Sequence, residues 1–245
     1  MTYCVAVMLD AGIVFASDSR TNAGVDQIAI FRKMHVINRE GDRLITILSS
    51  GNLSITQSAI NHLEHLMGDD SNKTVLHAKS MYEIADMVGN ALREVRRRDG
   101  PYLQQNSIDA SASFLVGGQI RGEPQRLFHV YSEGNFIEAT PETPYFQIGE
   151  SKYGKPVIDR VITRHTSLLD AAKCVLVSFD STMRSNISVG LPIDLLVYHS
   201  GSLRPGIRRR IDENDTYFNM IHAEWGEGLK RVFAQIPNPQ WDDAG

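Results

Sequence analysis

The stretch Thr2-Tyr3-Cys4-Val5-Ala6-Val7-Met8-Leu9-Asp10-Ala11-Gly12-Ile13-Val14-Phe15-Ala16-Ser17-Asp18 decides the fold. Residues 2–9 and 13–18 are β-branched, small or apolar, so each reads as a buried strand. Asp10-Ala11-Gly12 between them reads as a three-residue hairpin loop, with Gly12 in the left-handed position that closes a type I turn with a bulge. Strand character begins at Thr2, behind a lone Met1. A second hairpin is predicted over Ile28 to Ile37, the turn Glu40-Gly41-Asp42, and Leu44 to Ser49, giving four antiparallel strands in succession.

The period then changes. Ile55, Ala59, Ile60, Leu63, Leu66 and Met67 share one helical face, and Met81, Ile84, Ala85, Val88, Leu92 and Val95 share another. Strand character returns between Ala110 and Ala139, with Gly117-Gly118 and Glu133-Gly134-Asn135 as turn signals. Helices are predicted over Tyr153 to Ile162 and Ser167 to Met183, the second opened by Ser167 and Asp170 in N-cap spacing. A strand follows at Ile193 to His199, and a last helix carries Phe218, Ile221, Trp225, Leu229 and Phe233 on one face. Runs of strands alternating with runs of helices predict an α+β fold with helices on the outer faces of a sheet sandwich. No Pro/Gly/Ser linker divides the chain, so residues 1–245 are expected to form a single domain with a short C-terminal extension from about residue 236.

With 42% hydrophobic residues in 245, the chain can bury a sizeable core, and a formal charge of −4 argues against nucleic acid as a partner. No apolar run approaches the roughly 20 residues of a membrane span. The first ten residues lack the Lys or Arg of a secretory leader, and Cys4 and Cys174 are too few and too far apart for a disulfide framework or metal knuckle, so a cytoplasmic protein with reduced thiols and no cofactor is expected. His62-Leu63-Glu64-His65 has the wrong spacing for a metalloprotease helix and reads as a solvated face. Arg96-Arg97-Arg98 reads as the end of a helix, where cations complement the dipole. Arg208-Arg209-Arg210 precedes Asp212-Glu213-Asn214-Asp215 and could pair with it in the same or a neighbouring subunit.

The opening segment carries the sharper chemistry. A threonine hydroxyl needs a base within reach to act as a nucleophile, and the α-amine of an N-terminal threonine supplies one with a pKa near 8. Thr2 becomes N-terminal if Met1 is removed. Pairing Leu9 with Ile13 would set Thr2 opposite Arg20, with Asp18 diagonally across on the same face. Lys33 on the third strand could then hold Asp18 and lower the proton affinity of the hydroxyl. Gly51, at a strand-to-helix turn, could direct its N–H at a developing oxyanion.

Thr2, Ala16-Ser17-Asp18-Ser19-Arg20, Lys33 and the Ser50-Gly51 turn resemble the active-site pattern of proteasome β-type subunits, at that family's intervals once Met1 is discounted. The layout of the whole chain is similar to that superfamily. Thr21-Asn22-Ala23-Gly24-Val25-Asp26 and the segment Arg184 to Pro192 are similar to its bacterial branch called Anbu, the proposed ancestral β subunit. The resemblance implies an N-terminal nucleophile hydrolase built as a four-layer αββα sandwich. It implies that Thr2 attacks a peptide or amide carbonyl, that Asp18 and Lys33 set the electrostatics, and that the Gly51 N–H completes the oxyanion hole. Arg20 is left between a structural ion pair and a catalytic role.

Two segments depart from the family. Where proteasome subunits carry Asp-x-x-Ser-Gly, this chain has Asn186-Ile187-Ser188-Val189-Gly190, so Asn186 and Ser188 are the supporting candidates. Aligning the glycines loses both the Asp and the Ser, and aligning Ser188 puts Ser185 where the Asp belongs. Gly149-Glu150-Ser151 likewise puts Glu150 where a supporting Ser is expected. The altered support leaves open a small-amide amidohydrolase on the same fold, or an assembly scaffold or binding protein with a vestigial site. The family also implies a homo-oligomer, as a ring or a helical open washer, with the Pro237-Asn238-Pro239-Gln240-Trp241 tail reaching a neighbour. An ATP-driven partner is not specified by anything in the sequence.

Overall fold

The computed structural model describes residues 2–22, 28–68 and 74–240. Met1, Trp241 and residues 23–26 of the Thr21–Asp26 segment lie outside them. The chain runs β1 (Tyr3–Leu9), β2 (Gly12–Asp18), β3 (Arg20–Asn22), β4 (Ile28–Ile30), β5 (Met34–Arg39), β6 (Arg43–Gly51), α1 (Leu53–Gly68) and α2 (Met81–Gln105). It continues through β7 (Ala112–Ile120), β8 (Arg126–Val130), β9 (Phe136–Glu138), β10 (Tyr145–Gly149), α3 (Lys155–Val161) and α4 (Leu168–Ser185), then β11 (Ile193–His199), β12 (Ile207–Ile211) and α5 (Thr216–Gln235).

The two opening hairpins enter different sheets. One five-stranded antiparallel sheet has the order β10-β1-β2-β11-β12 and the other β5-β6-β7-β8-β9. Three apolar clusters separate four layers. Cys4, Ala6, Phe15, Leu48, Leu115 and Tyr198 fill the space between the sheets. Tyr3, Val5, Val14, Ile158, Val175 and Phe179 pack the first sheet against α3 and α4. Ile45, Ile47, Ile55, Ile84, Val88 and Phe114 pack the second against α1 and α2. Alternation along β1 explains this: Cys4 and Ala6 face the second sheet, Tyr3, Val5 and Val7 the helices, so every residue is apolar without being redundant. The αββα sandwich is thus present.

Several expectations are corrected. The first hairpin has the two-residue loop Asp10-Ala11, because Leu9 pairs with Gly12 rather than Ile13. Gly12 is a strand residue: a Cβ there would lie 1.9 Å from the Tyr198 carbonyl oxygen on β11. Its missing side chain serves a close strand approach instead of a turn. Gly118 is likewise inside β7, where a Cβ would fall 2.0 Å from the Leu44 carbonyl oxygen, so Gly117-Gly118 is no turn. The predicted strand Ile28 to Ile37 is broken at Phe31-Arg32-Lys33.

Helix α2 continues past Arg96-Arg97-Arg98 through Pro101 to Gln105, so the arginines do not end it. Arg97 and Arg98 instead pair with Glu94 and Asp99 on the helix surface, and Arg96 donates to the Ser132 carbonyl. Arg208-Arg209-Arg210 forms most of β12, an edge strand; Arg210 pairs with Asp194 at 2.9 Å. The following acids are used locally, Asp212 by the Asn214 N–H and Asp215 as the N-cap of α5. His62 and His65 lie exposed on α1, Cys4 and Cys174 are buried and unpaired, and Ser167 caps α4 by accepting the Asp170 N–H at 3.1 Å. Among the described residues no helix is long and apolar enough to cross a membrane.

Candidate active site

Thr2 stands at the entry to β1 and is 9% exposed. The next residue fixes it. Tyr3 is wholly buried, its ring 4.6 Å from that of Phe179, its hydroxyl bonded to Ser178 at 3.0 Å and receiving the Gln147 side-chain N–H at 2.5 Å. On the other side, the Thr2 carbonyl accepts the Glu150 N–H at 2.7 Å. That contact depends on Gly149, at φ +82°, where a Cβ would lie 1.9 Å from the Thr2 carbonyl oxygen. Only glycine lets the end of β10 approach the backbone of Thr2 so closely.

Asp18 ends β2, fully buried, in register opposite Tyr3 since Cys4 pairs with Ser17. Thr2 therefore does not oppose Arg20 as expected. Asp18 still serves the same corner, because its Oδ1 accepts the Tyr3 N–H at 3.0 Å. Lys33 Nζ donates to that same oxygen at 2.8 Å and to the Arg20 carbonyl at 2.7 Å. The break between β4 and β5 makes this reach possible: Lys33 is anchored to the second sheet by the Ser49 N–H on its carbonyl, 3.0 Å, while its side chain enters the first. Burial pushes the Asp18 carboxyl above the usual carboxylate range, against the pull of Lys33 and of the Tyr3 N–H. Asp18 Oδ2 makes no hydrogen bond of normal geometry, although the Gly190 N–H is near enough to favour the ionised form.

Gly51 closes β6 at φ +111°, with Ser111 O only 2.4 Å from where its Cβ would be. The turn leads directly into α1, whose first N–H groups, those of Ser54 and Ile55, are accepted by Asn52 Oδ1 at 3.0 and 3.3 Å. The preceding Ser50 lies against Gly149, the residue that packs on the Thr2 carbonyl: its Oγ is 2.9 Å from the Cβ position of Gly149. The ends of β6 and β10 thus meet beside Thr2, and the N-terminus of α1 that follows Gly51 is an element that suits developing negative charge.

The remaining candidates meet at the end of α4 and the loop that follows it. Arg20 donates to the Ile187 carbonyl at 3.2 Å, and Gly190 gives way to its guanidinium, a Cβ there falling 2.3 Å from Cζ. It clamps the loop after α4, and no ion pair of Arg20 occurs among the described residues. Asn186 is the C-cap of α4; its Oδ1 accepts the Ser188 N–H and its Nδ2 donates to Glu150 Oε2, both at 2.9 Å. The two departures from the proteasome pattern, Glu150 and Asn186, are therefore bonded to each other. Sequence reasoning flagged both as losses and missed their contact; their joint appearance was the available signal. A surface cleft of about 710 Å³ lies elsewhere, between α2 and residues 107–110.

Comparison with models of protein families and with curated proteins finds no match. Solved structures do match. "Anbu (ancestral beta-subunit) from Yersinia bercovieri" is 50% identical with a TM-score of 0.92, over 98% of this chain and 100% of that one. "Helical Assembly of the Anbu Complex from Pseudomonas aeruginosa" is 50% identical with a TM-score of 0.92, over 97% and 98%. "Anbu from Hyphomicrobium sp. strain MC1" is 45% identical with a TM-score of 0.89, over 98% and 100%.

Proposed function

The chain belongs to the Anbu (ancestral β-subunit) family of proteasome-like proteins, and on that premise we propose that it is a self-assembling N-terminal-threonine hydrolase of peptide or amide bonds. Removal of Met1 frees the Thr2 α-amine. The amine takes the proton of Thr2 Oγ1 as that oxygen adds to the substrate carbonyl, and the Gly51 N–H receives the oxyanion. Collapse breaks the C–N bond, the departing amine carries off the proton, and an acyl ester remains on Thr2. Water, deprotonated by the same α-amine, hydrolyses the ester and restores the enzyme.

The observation that carries this reading is the Asp18–Lys33 pair at 2.8 Å, buried and tied to the amide that follows Thr2. A cation held in the same corner as Thr2 lowers the cost of forming an alkoxide there. Asp18 holds the Lys33 side chain in place. Arg20 acts by holding the loop of Asn186 and Ser188, and these two residues support the nucleophile from the end of α4.

Self-assembly is supported by α5 and by the helical assembly named for the Pseudomonas aeruginosa relative. Only the first part of the apolar face of α5 is covered; Leu229, Val232, Phe233 and Ile236 are 53–78% exposed. A second copy of this chain is the occupant we assign to that face. The second reading, a scaffold or binding protein with a vestigial site, draws on Glu150 and Asn186 standing where the proteasome pattern has other groups. A library of peptides and small amides, assayed with wild type and Thr2→Ala, separates them. Turnover lost in the variant supports the hydrolase, and turnover equal in both, or absent from both, favours the second reading.

A further inference from the structure

Glu150 is a charged group that the mechanism above does not use. It is 8% exposed, and the partners of its carboxylate are the Asn186 Nδ2 at 2.9 Å and the Lys152 N–H at 3.4 Å, both neutral. No ion pair of Glu150 occurs among the described residues. Its surroundings make this costly. Asn186 is the C-cap of α4, so the carboxylate lies at the helix end that carries partial negative charge. Among the described residues, a cation is what this position lacks.

The backbone of Glu150 meanwhile donates to the Thr2 carbonyl at 2.7 Å, so the two residues are in direct contact. Removing Met1 would create an ammonium on the Cα of Thr2, within the reach of a glutamate side chain. We propose that Glu150 is the counter-ion of the mature Thr2 α-amine, a positioning residue that orients the amine through charge and raises its pKa. This deepens the hydrolase reading and rests on its premise that Met1 is removed.

The other charged groups at this corner divide by sign. Lys33 from the β4–β5 break favours the free amine, and Asp18 on β2 offsets Lys33 because the two are paired at 2.8 Å. Arg20 on β3 is turned to the Ile187 carbonyl, and Lys152 and Arg184 are exposed. Glu150 is therefore the buried carboxylate of this corner with no cation of its own among the described residues. An opposite charge within about 4–6 Å moves a pKa by about one unit or more. The sign is definite: a carboxylate favours the ammonium, so the free-base form that Thr2 needs appears only at higher pH.

Glu150→Gln keeps an acceptor for Asn186 and removes the charge; Glu150→Ser is a second neutral variant should the first not fold. Intact mass first establishes that Met1 is absent. Acetylation of the Thr2 α-amine by acetic anhydride is then followed against pH by peptide mass spectrometry, a readout that does not require turnover. The expected result is a midpoint about one unit higher in wild type than in either neutral variant, with the rising limb of any hydrolase activity displaced equally. Equal midpoints in wild type and variants overturn the proposal while leaving the hydrolase reading intact. Retained Met1 overturns both, and is distinguishable because it appears in the mass before any titration.

Discussion

At the residue scale, few groups converge on the corner of Thr2. Asp18 Oδ1 is shared by Lys33 and the Tyr3 N–H, so the pair is simultaneously an electrostatic device and a fastener for β1. Lys33→Met leaves a buried, uncompensated carboxylate and should cost about 3–5 kcal/mol of stability by urea denaturation. Asp18→Asn combined with Lys33→Met should recover most of that loss while leaving Thr2 unreactive. Recovery of reactivity in the double variant would contradict the role given to Lys33. Asp18 and Lys33 were legible in the sequence because residue type and interval both constrain them. The register that joins them is not legible: Gly12 reads as a turn residue in the sequence, and its reason, the Tyr198 carbonyl 1.9 Å from a would-be Cβ, lies on a strand far along the chain.

At the scale of elements, the strands and helices with strong periodicity were read within a few residues, and β11 and the cap of α4 fall where expected. The short edge elements were not. Arg208 to Arg210 form a strand whose side chains are exposed, and polarity on an edge strand hides the period that reveals a buried one. Helix α2 outlasts its fully buried face because beyond Val95 it is held by the Arg96 contact to the Ser132 carbonyl, by the pairs of Arg97 with Glu94 and Arg98 with Asp99, and by Leu103 packed on the core. Strand β8 carries a testable group. His129 lies partly buried between the rings of Tyr131 and Phe146, with Nε2 unpartnered, and burial pushes its pKa down to about 4. The unfolded chain protonates this histidine near pH 6.5 and the folded chain only near pH 4, so stability is full above about 6.5 and falls between these values. His129→Phe should flatten that acid limb in denaturation midpoints measured from pH 7 to pH 4. An unchanged slope would assign the limb to other groups.

At the scale of the whole molecule, two sheets and two helical layers bring the starts or ends of β1, β2, β6 and β10 and the end of α4 to one corner. The layered plan was legible from alternating runs of strands and helices, and the contact of Glu150 with Asn186 was not, since residues 36 positions apart meet only through tertiary packing. The exposed end of α5 belongs to this scale too. Phe233→Glu should shift the sedimenting species to smaller size with the circular dichroism unchanged, and an unaltered sedimentation profile would remove α5 from the interface. The central claim, that Thr2 is the nucleophile once Met1 is gone, is tested most directly by one intact-mass measurement of the protein treated with a hydroxyl-directed electrophile, beside Thr2→Ala. Wild type should lack Met1 and carry one adduct, with the variant unlabelled. Quantitative retention of Met1, or equal labelling of wild type and Thr2→Ala, would contradict it.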